Sequence, residues 1–298
     1  MKSTPQKQCR ALLVSLRPWQ WFKNGLLFAG VLFSGNLFNT SDLILVIKAF
    51  FVFSFGSGAI YILNDIIDRP HDQEHPQKKL RPIASGQLNV QLSASVAVVL
   101  FVATVIYSIF TFNVLFTITY ISYLGLMLLY VFSFKHIVIV DLLSVAIGFV
   151  FRAVAGAVVI MVAISPWLVI CTFLVSLLLL MGKRRHEIFT LRQGAKKHRA
   201  VLEHYSLRLI DQMFAVVTSS SIIAYSLYTF SEQTIKGLKT HYMPLTIPFV
   251  LYAIFRYLYL THQRNLGGSP ETLVFQDKAM FINIVLWVII SIMIIYFT

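Results

Sequence analysis

The 298-residue chain is short of charge, of acid and of cysteine. Only 12% of its residues are Asp, Glu, Lys or Arg, about half of what a soluble domain carries, while 57% are hydrophobic. That balance excludes a disordered chain, which needs low hydrophobicity. It also excludes a soluble nucleic-acid binder, whose basic surface is not parted by long apolar runs. Cys9 and Cys171 are the only cysteines, one in a polar N-terminal tail and one inside an apolar run, so a disulfide-stapled secreted scaffold is excluded as well. There is no Walker-type Gly-Lys-Ser loop, no Cys-x-x-Cys pair and no Ser-His-Asp order. His71, His75, His136 and His186 do not follow a zinc spacing. No apolar stretch of signal-peptide type precedes Gln20, so no cleavable signal is expected. What remains is a polytopic membrane protein with basic loops.

What the sequence has in abundance is apolar runs long enough to cross a bilayer, for which roughly 20 residues are needed. Nine candidate spans fall at about 24–40, 43–63, 92–112, 114–133, 138–162, 166–182, 213–231, 244–261 and 279–297. The first is short and holds Asn36, and the eighth holds Pro244 and Pro248. The expected fold class is therefore all-α, a polytopic helical bundle formed by one domain over residues 1–298, with 1–23 as a cytoplasmic tail. Lys and Arg set the orientation. Alternate loops hold 21 of them on one side and three on the other (Lys48, Lys236, Lys239). The tail and the loops 64–91 and 183–212 are thus expected in the cytoplasm, with the C-terminus outside. Lys196, Lys197, His198 and Arg199 read as lipid-surface or topogenic charges.

Against that background a few charged residues need their own explanation. Residues 61–86 follow the second span, and within them Asn64, Asp65, Asp68 and Asp72 stand together. The three aspartates are spaced i, i+3, i+7, one face of a helix, although Pro70 is placed to end or bend it. Three carboxylates at a membrane edge repel one another and are costly to desolvate. A hard divalent cation resolves that conflict, and Mg²⁺ commonly bridges carboxylates to substrate phosphates. Lys78, Lys79 and Arg81 follow within ten residues of Asp72 and suit phosphate oxygens.

At this point the sequence resembles the UbiA-type intramembrane prenyltransferases, whose first aspartate-rich motif is similar to Asn64-Asp65-x-x-Asp68-x-x-x-Asp72. Further segments resemble the decaprenyl-phosphate phosphoribosyltransferase branch: Leu16 to Asn24 (with Lys23), Arg81 to Gly86, Ser133 to His136 (with Lys135), Gly148 to Ala153 (with Arg152) and Gly267 to Glu271. The resemblance runs from about residue 16 to the end. It implies a nine-helix bundle in a bacterial-type inner membrane, with Mg²⁺ on Asp65, Asp68, Asp72 and Asn64 at a cytoplasmic mouth. For the branch it implies transfer of 5-phosphoribose from phosphoribosyl diphosphate to a polyprenyl phosphate lipid, a step of cell-envelope biosynthesis. Ordinary superfamily members carry a second aspartate-rich motif after span six. Here that place reads Gly182-Lys183-Arg184-Arg185-His186-Glu187, one acid among three cations. The departure argues against plain prenyl transfer, since a phosphoribosyl donor and a lipid phosphate bring more anionic oxygens to hold.

Two more charges, Asp141 and Arg152, lie in span five. Eleven residues return them to nearly one face but about 16 Å apart, so each needs a partner elsewhere. The candidate phosphate ligands are Lys23, Lys78, Arg81, Lys135, Arg152, Lys183 and Arg184, with Asn64 and Glu187 as polar substrate contacts. Lys183 and Glu187 also have the i, i+4 spacing of a simple ion pair. Gly267-Gly268-Ser269-Pro270-Glu271 reads as a turn with Ser269 capping a helix that begins at Pro270. Two competing expectations stand beside the first: prenyl transfer from a polyprenyl diphosphate to an aromatic acceptor, and a non-enzymatic transporter whose intramembrane charges form an ion path.

Overall fold

The computed structural model describes residues 5–75, 77–192, 204–268 and 270–297. Helix dominates, and among the described residues there is no strand. In chain order the α-helices are α1 (Pro5–Ser15), α2 (Phe28–Phe33), α3 (Thr40–Ile67), α4 (Arg69–Glu74), α5 (Val90–Thr111), α6 (Val114–Phe132), α7 (Val140–Val159), α8 (Pro166–Arg192), α9 (Leu207–Phe230), α10 (Glu232–Leu238), α11 (Ile247–His262), α12 (Pro270–Gln276) and α13 (Lys278–Phe297). Eight of the helical segments described are long and apolar enough to cross a membrane. They match the second to ninth spans read from the sequence. The charges expected at 196–199 and the expected Ser269 cap lie outside the described residues.

The first expected span, 24–40, differs. Pro18–Leu27 is a 3₁₀-helix, followed only by the six residues of α2. Arg17 sits in the left-handed region with φ 51° and ψ 59°; as the residue before Pro18 it is disfavoured in the right-handed helical conformation, so α1 does not run on through it. The 3₁₀ segment runs antiparallel to α3. Arg17 bonds Asp65, Asn24 bonds Ser54, and the Phe28 ring lies 6.1 Å from that of Phe50. Eleven residues on one side thus match fifteen on the other. That is the ratio expected when a 3₁₀ rise of about 2.0 Å runs beside an α rise of about 1.5 Å. The segment is apolar enough for a membrane, as the sequence indicated, but it is stretched.

Two glycines permit its packing. A Cβ on Gly156 of α7 would strike the Leu27 carbonyl, and one on Gly30 would strike the backbone of Gly156 and Ala157. The backbones touch there, and no side chain fits between them.

The chain forms two compact units. One holds Met1–Gly30, Thr40–Lys135 and Phe151–Ala163; the other holds Val31–Asn39, His136–Val150 and Ile164–Thr298. In the first, α3 packs along α5 and α6, and Phe53, Phe116, Tyr120 and Tyr123 form an aromatic core. In the second, α8 packs along α9 and α11 along α13, around Leu177, Phe214, Tyr257 and their neighbours. Helix length positions the chemistry. At 28 and 27 residues, α3 and α8 span about 42 and 40 Å against a hydrocarbon core of about 30 Å. The acidic motif rides on the overhang of one and the basic motif on the overhang of the other.

Candidate active site

In the first unit three carboxylates meet three cations. Backbone bonds from Asp68 N to Asn64 O and from Asp72 N to Asp68 O carry the helical path past the end of α3 into α4, so Asp65, Asp68 and Asp72 share a face despite Pro70. Asp65 and Asp72 are buried. Asp65 accepts from Arg17 at 2.5 Å and from Arg81 at 3.0 Å, and the same Arg81 nitrogen reaches Asp72 at 2.6 Å. Lys135, in the turn Phe134–His136, is buried, with its ammonium 2.6 Å from Asp68 and 3.5 Å from the Asn64 side-chain oxygen. The cluster is thus neutral in sum, which is how three acids tolerate a membrane edge.

Arg152 sits deeper in the same unit. Its Nε donates to Asn24 at 2.7 Å, and an Nη donates to the Tyr123 hydroxyl at 2.8 Å. Asn24 in turn donates to Ser54, and Ser57 shares a hydrogen bond with Tyr123. Lys23, expected as a phosphate ligand, bonds Gln20 on its own 3₁₀ segment at 3.4 Å. Lys78 opens the short turn Lys78–Leu80, which packs on α4.

The second unit holds a separate cluster. Arg184 is buried and bonds Asp141 at 2.6 Å and Glu187 at 2.6 Å. Glu187 thus receives a guanidinium three residues back, besides the Lys183 partner suggested by spacing. Asp141 also accepts from the Tyr205 hydroxyl at 2.8 Å, and that hydroxyl accepts the Ile139 N–H at 2.6 Å. Burial first, and then the Asp141 hydrogen bond, push the Tyr205 hydroxyl up to about 12, so it stays a donor. Arg185 bonds Asp211, the Thr261 carbonyl and Asn265, while His186 bonds the Asn265 carbonyl. Arg256 pairs with Asp277 at 2.7 Å, and Asp277 caps α13 through the Met280 N–H. The Arg256 hydrogen bond holds that carboxyl below the usual range.

Sequence reasoning did not assign Arg17, Tyr123 or Tyr205 to a site, and it left Asp141 without a partner. Arg17 had one signal, its place in the Leu16 to Asn24 segment that resembles the branch. The tyrosines had none, because their partners lie far off in sequence.

The donor set of the first cluster is all hard oxygen, and its Asn64–Asp68 pair already embraces a positive group, the Lys135 ammonium. Among the described residues no three acidic, imidazole or thiol groups converge as a ready-made metal cage. Mg²⁺ does not need one, since it is usually held by one or two carboxylates, waters and substrate phosphates. The residues fit such an ion.

Eight helices long and apolar enough to cross a membrane, with an acidic cluster at the end of α3 and a basic one at the end of α8, make this a polytopic helical protein of the membrane type. The profile of the UbiA prenyltransferase family matches residues 25–285, and the chain belongs to that family. It is 32% identical, over 99% of its length and 90% of the relative's, to a decaprenyl-phosphate phosphoribosyltransferase of Corynebacterium glutamicum. A protein of the same name from Mycolicibacterium smegmatis is 30% identical over 95% of this chain and 92% of its own. A UbiA homolog from Archaeoglobus fulgidus, solved bound to DMAPP and Mg²⁺, superposes with a TM-score of 0.70 at 14% identity, covering 96% of this chain and 99% of that one. That likeness is one of fold.

Proposed function

We propose that the whole chain works as a single transferase domain in a bacterial-type inner membrane, with its N-terminus and acidic motif facing the cytoplasm. It moves 5-phosphoribose from phosphoribosyl diphosphate to a polyprenyl phosphate of decaprenyl type. The observation that carries the reading is the 182–187 segment: three cations and one acid in a chain about 30% identical to named decaprenyl-phosphate phosphoribosyltransferases.

In this reading Asp65 and Asp68, with Asn64 and Asp72 in support, hold Mg²⁺. The ion, when bound, supplies positive charge to the departing diphosphate. Arg17, Arg81 and Lys135 neutralise the aspartates and lend N–H donors to phosphate oxygens. Arg152, Lys23, Lys78, Lys183 and Arg184 contribute further positive charge toward the phosphates, and Glu187 offers an acceptor. The bond between carbon 1 of the ribose and the diphosphate oxygen breaks, and its electron pair leaves with the diphosphate. A lipid phosphate oxygen forms the new bond from the opposite face, inverting the centre. No strong general base is needed, because a phosphate monoester is already ionised near neutral pH.

The test uses phosphoribosyl diphosphate labelled on the 5-phosphate, polyprenyl phosphate and purified protein. The label should move into the lipid extract with Mg²⁺ and stay aqueous with excess chelator. Label that stays aqueous under both conditions contradicts the reading.

A further inference from the structure

Ahead of Asp42 the chain holds five cations and no acid. Two of the five, Lys7 and Arg10, are exposed on α1. Helical residues turn about 100° each, so Lys7, Arg10, Leu13 and Val14 fall within about one third of the circumference. That face is apolar as well as basic, with Leu13 55% and Val14 40% exposed. The opposite face, with Ala11 and Ser15, is buried. Ala11 and the following Leu16 share a core with Ile62 of α3, Ile83, Leu88 and Ala97 of α5, all in the first unit.

That core fixes the depth of α1. At 22 residues, α5 is about 33 Å long, little more than a hydrocarbon core of about 30 Å. Ala97 stands about 10 Å inside its first residue, Val90. The outer face of α1 is therefore level with the headgroups and the first chain carbons, beside the spans and not above them. Trp19, 59% exposed near the start of the 3₁₀-helix that follows, is of the residue type enriched at that level. Exposed apolar residues among cations, on a helix at that depth, make the pattern of an interfacial helix. A second copy of the chain, docked there about a two-fold axis, would set the cations of one α1 against those of the other. Lipid of negative charge complements the face.

We propose that α1 is a binding surface for anionic lipid: Leu13 and Val14 sink to the headgroup–chain boundary, and Lys7 and Arg10 hold lipid phosphates. The helix leads through Leu16 into Arg17, which bonds Asp65 and lies over the Tyr61 ring. Lipid that holds α1 thereby holds that arginine at the acidic cluster. The proposal does not depend on which group the protein transfers.

The test places the full-length protein, one copy per lipid nanodisc, in phosphatidylcholine alone or with phosphatidylglycerol added, and reads amide hydrogen exchange over residues 7–15 by mass spectrometry. The attraction of two cations to an anionic surface should slow exchange along α1 by about 30-fold. Lys7→Gln combined with Arg10→Gln should lose that difference, while Lys7→Arg combined with Arg10→Lys should keep it. Leu13→Gln should speed exchange in both lipids. Exchange indifferent to phosphatidylglycerol in the wild type overturns the proposal whatever the variants do, and so does a lipid effect that survives the loss of both charges. Protection that appears only in discs holding two copies overturns it as well, in favour of a second chain on this face.

Discussion

Asp65, Asp68 and Asp72 each have a cation within hydrogen-bond distance, and the value of each residue follows from its partner. Asp65→Asn or Asp68→Asn keeps size and shape but removes the charge that a hard cation needs. Turnover should fall to near background while the protein still inserts and elutes as wild type; full activity in either inserted variant would remove the metal assignment. Lys183→Ala and Arg184→Ala should separate. Arg184 is buried against the fully enclosed Asp141, so its loss should cost about 3–5 kcal/mol of stability, the cost of stranding a buried charge. Lys183→Ala, at a half-buried position, should raise the KM for the donor. The acids were legible in the sequence because their spacing along one helical path, from α3 into α4, is local. The cations that meet them were half legible. Arg81 stands nearby in the chain, whereas Arg17 and Lys135 reach Asp65 and Asp68 across 48 and 67 residues, and no periodicity encodes that.

At the scale of elements, eight spans were legible because an apolar run of twenty residues in a bilayer has to satisfy its backbone internally, and the α-helix does so. The first span differs in helix type, because a 3₁₀-helix satisfies the same need at the same apolar composition. What distinguishes it is Pro18 at its start and the backbone contact of Leu27 with Gly156, a residue of α7 far along the chain. Gly156→Ala should therefore destabilise by about 1–3 kcal/mol, as overpacking does, although alanine is the better helix former; thermal unfolding in detergent reads the change. The α7–α9 junction offers a pH test. The Tyr205 hydroxyl is raised from its ordinary value of 10.0 to about 12, so its contribution to stability is full below pH 10 and is lost as pH rises through about 12. A Tyr205→Phe variant should be less stable at neutral pH and should lack that component of the alkaline slope.

For the whole molecule, the +13 net charge is chiefly a matter of orientation, with 21 cations on one side of the expected topology and three on the other. In a background with Cys9 and Cys171 replaced by serine, a cysteine introduced at Gln87 should react with an impermeant thiol reagent only after the membrane is opened. One introduced at Gln233 should react in intact cells. The reverse pattern would place the acidic motif on the wrong face for a cytoplasmic donor. The central claim is that the protein transfers a sugar phosphate and not a prenyl group, and a donor competition tests it most directly. Purified protein with Mg²⁺ is given phosphoribosyl diphosphate, a polyprenyl diphosphate, a polyprenyl phosphate and an aromatic acceptor together, and the lipid products are identified by mass. The account predicts polyprenyl phosphate carrying one added phosphoribose, with the aromatic acceptor untouched. A prenylated aromatic product, with phosphoribosyl diphosphate left intact, would contradict it.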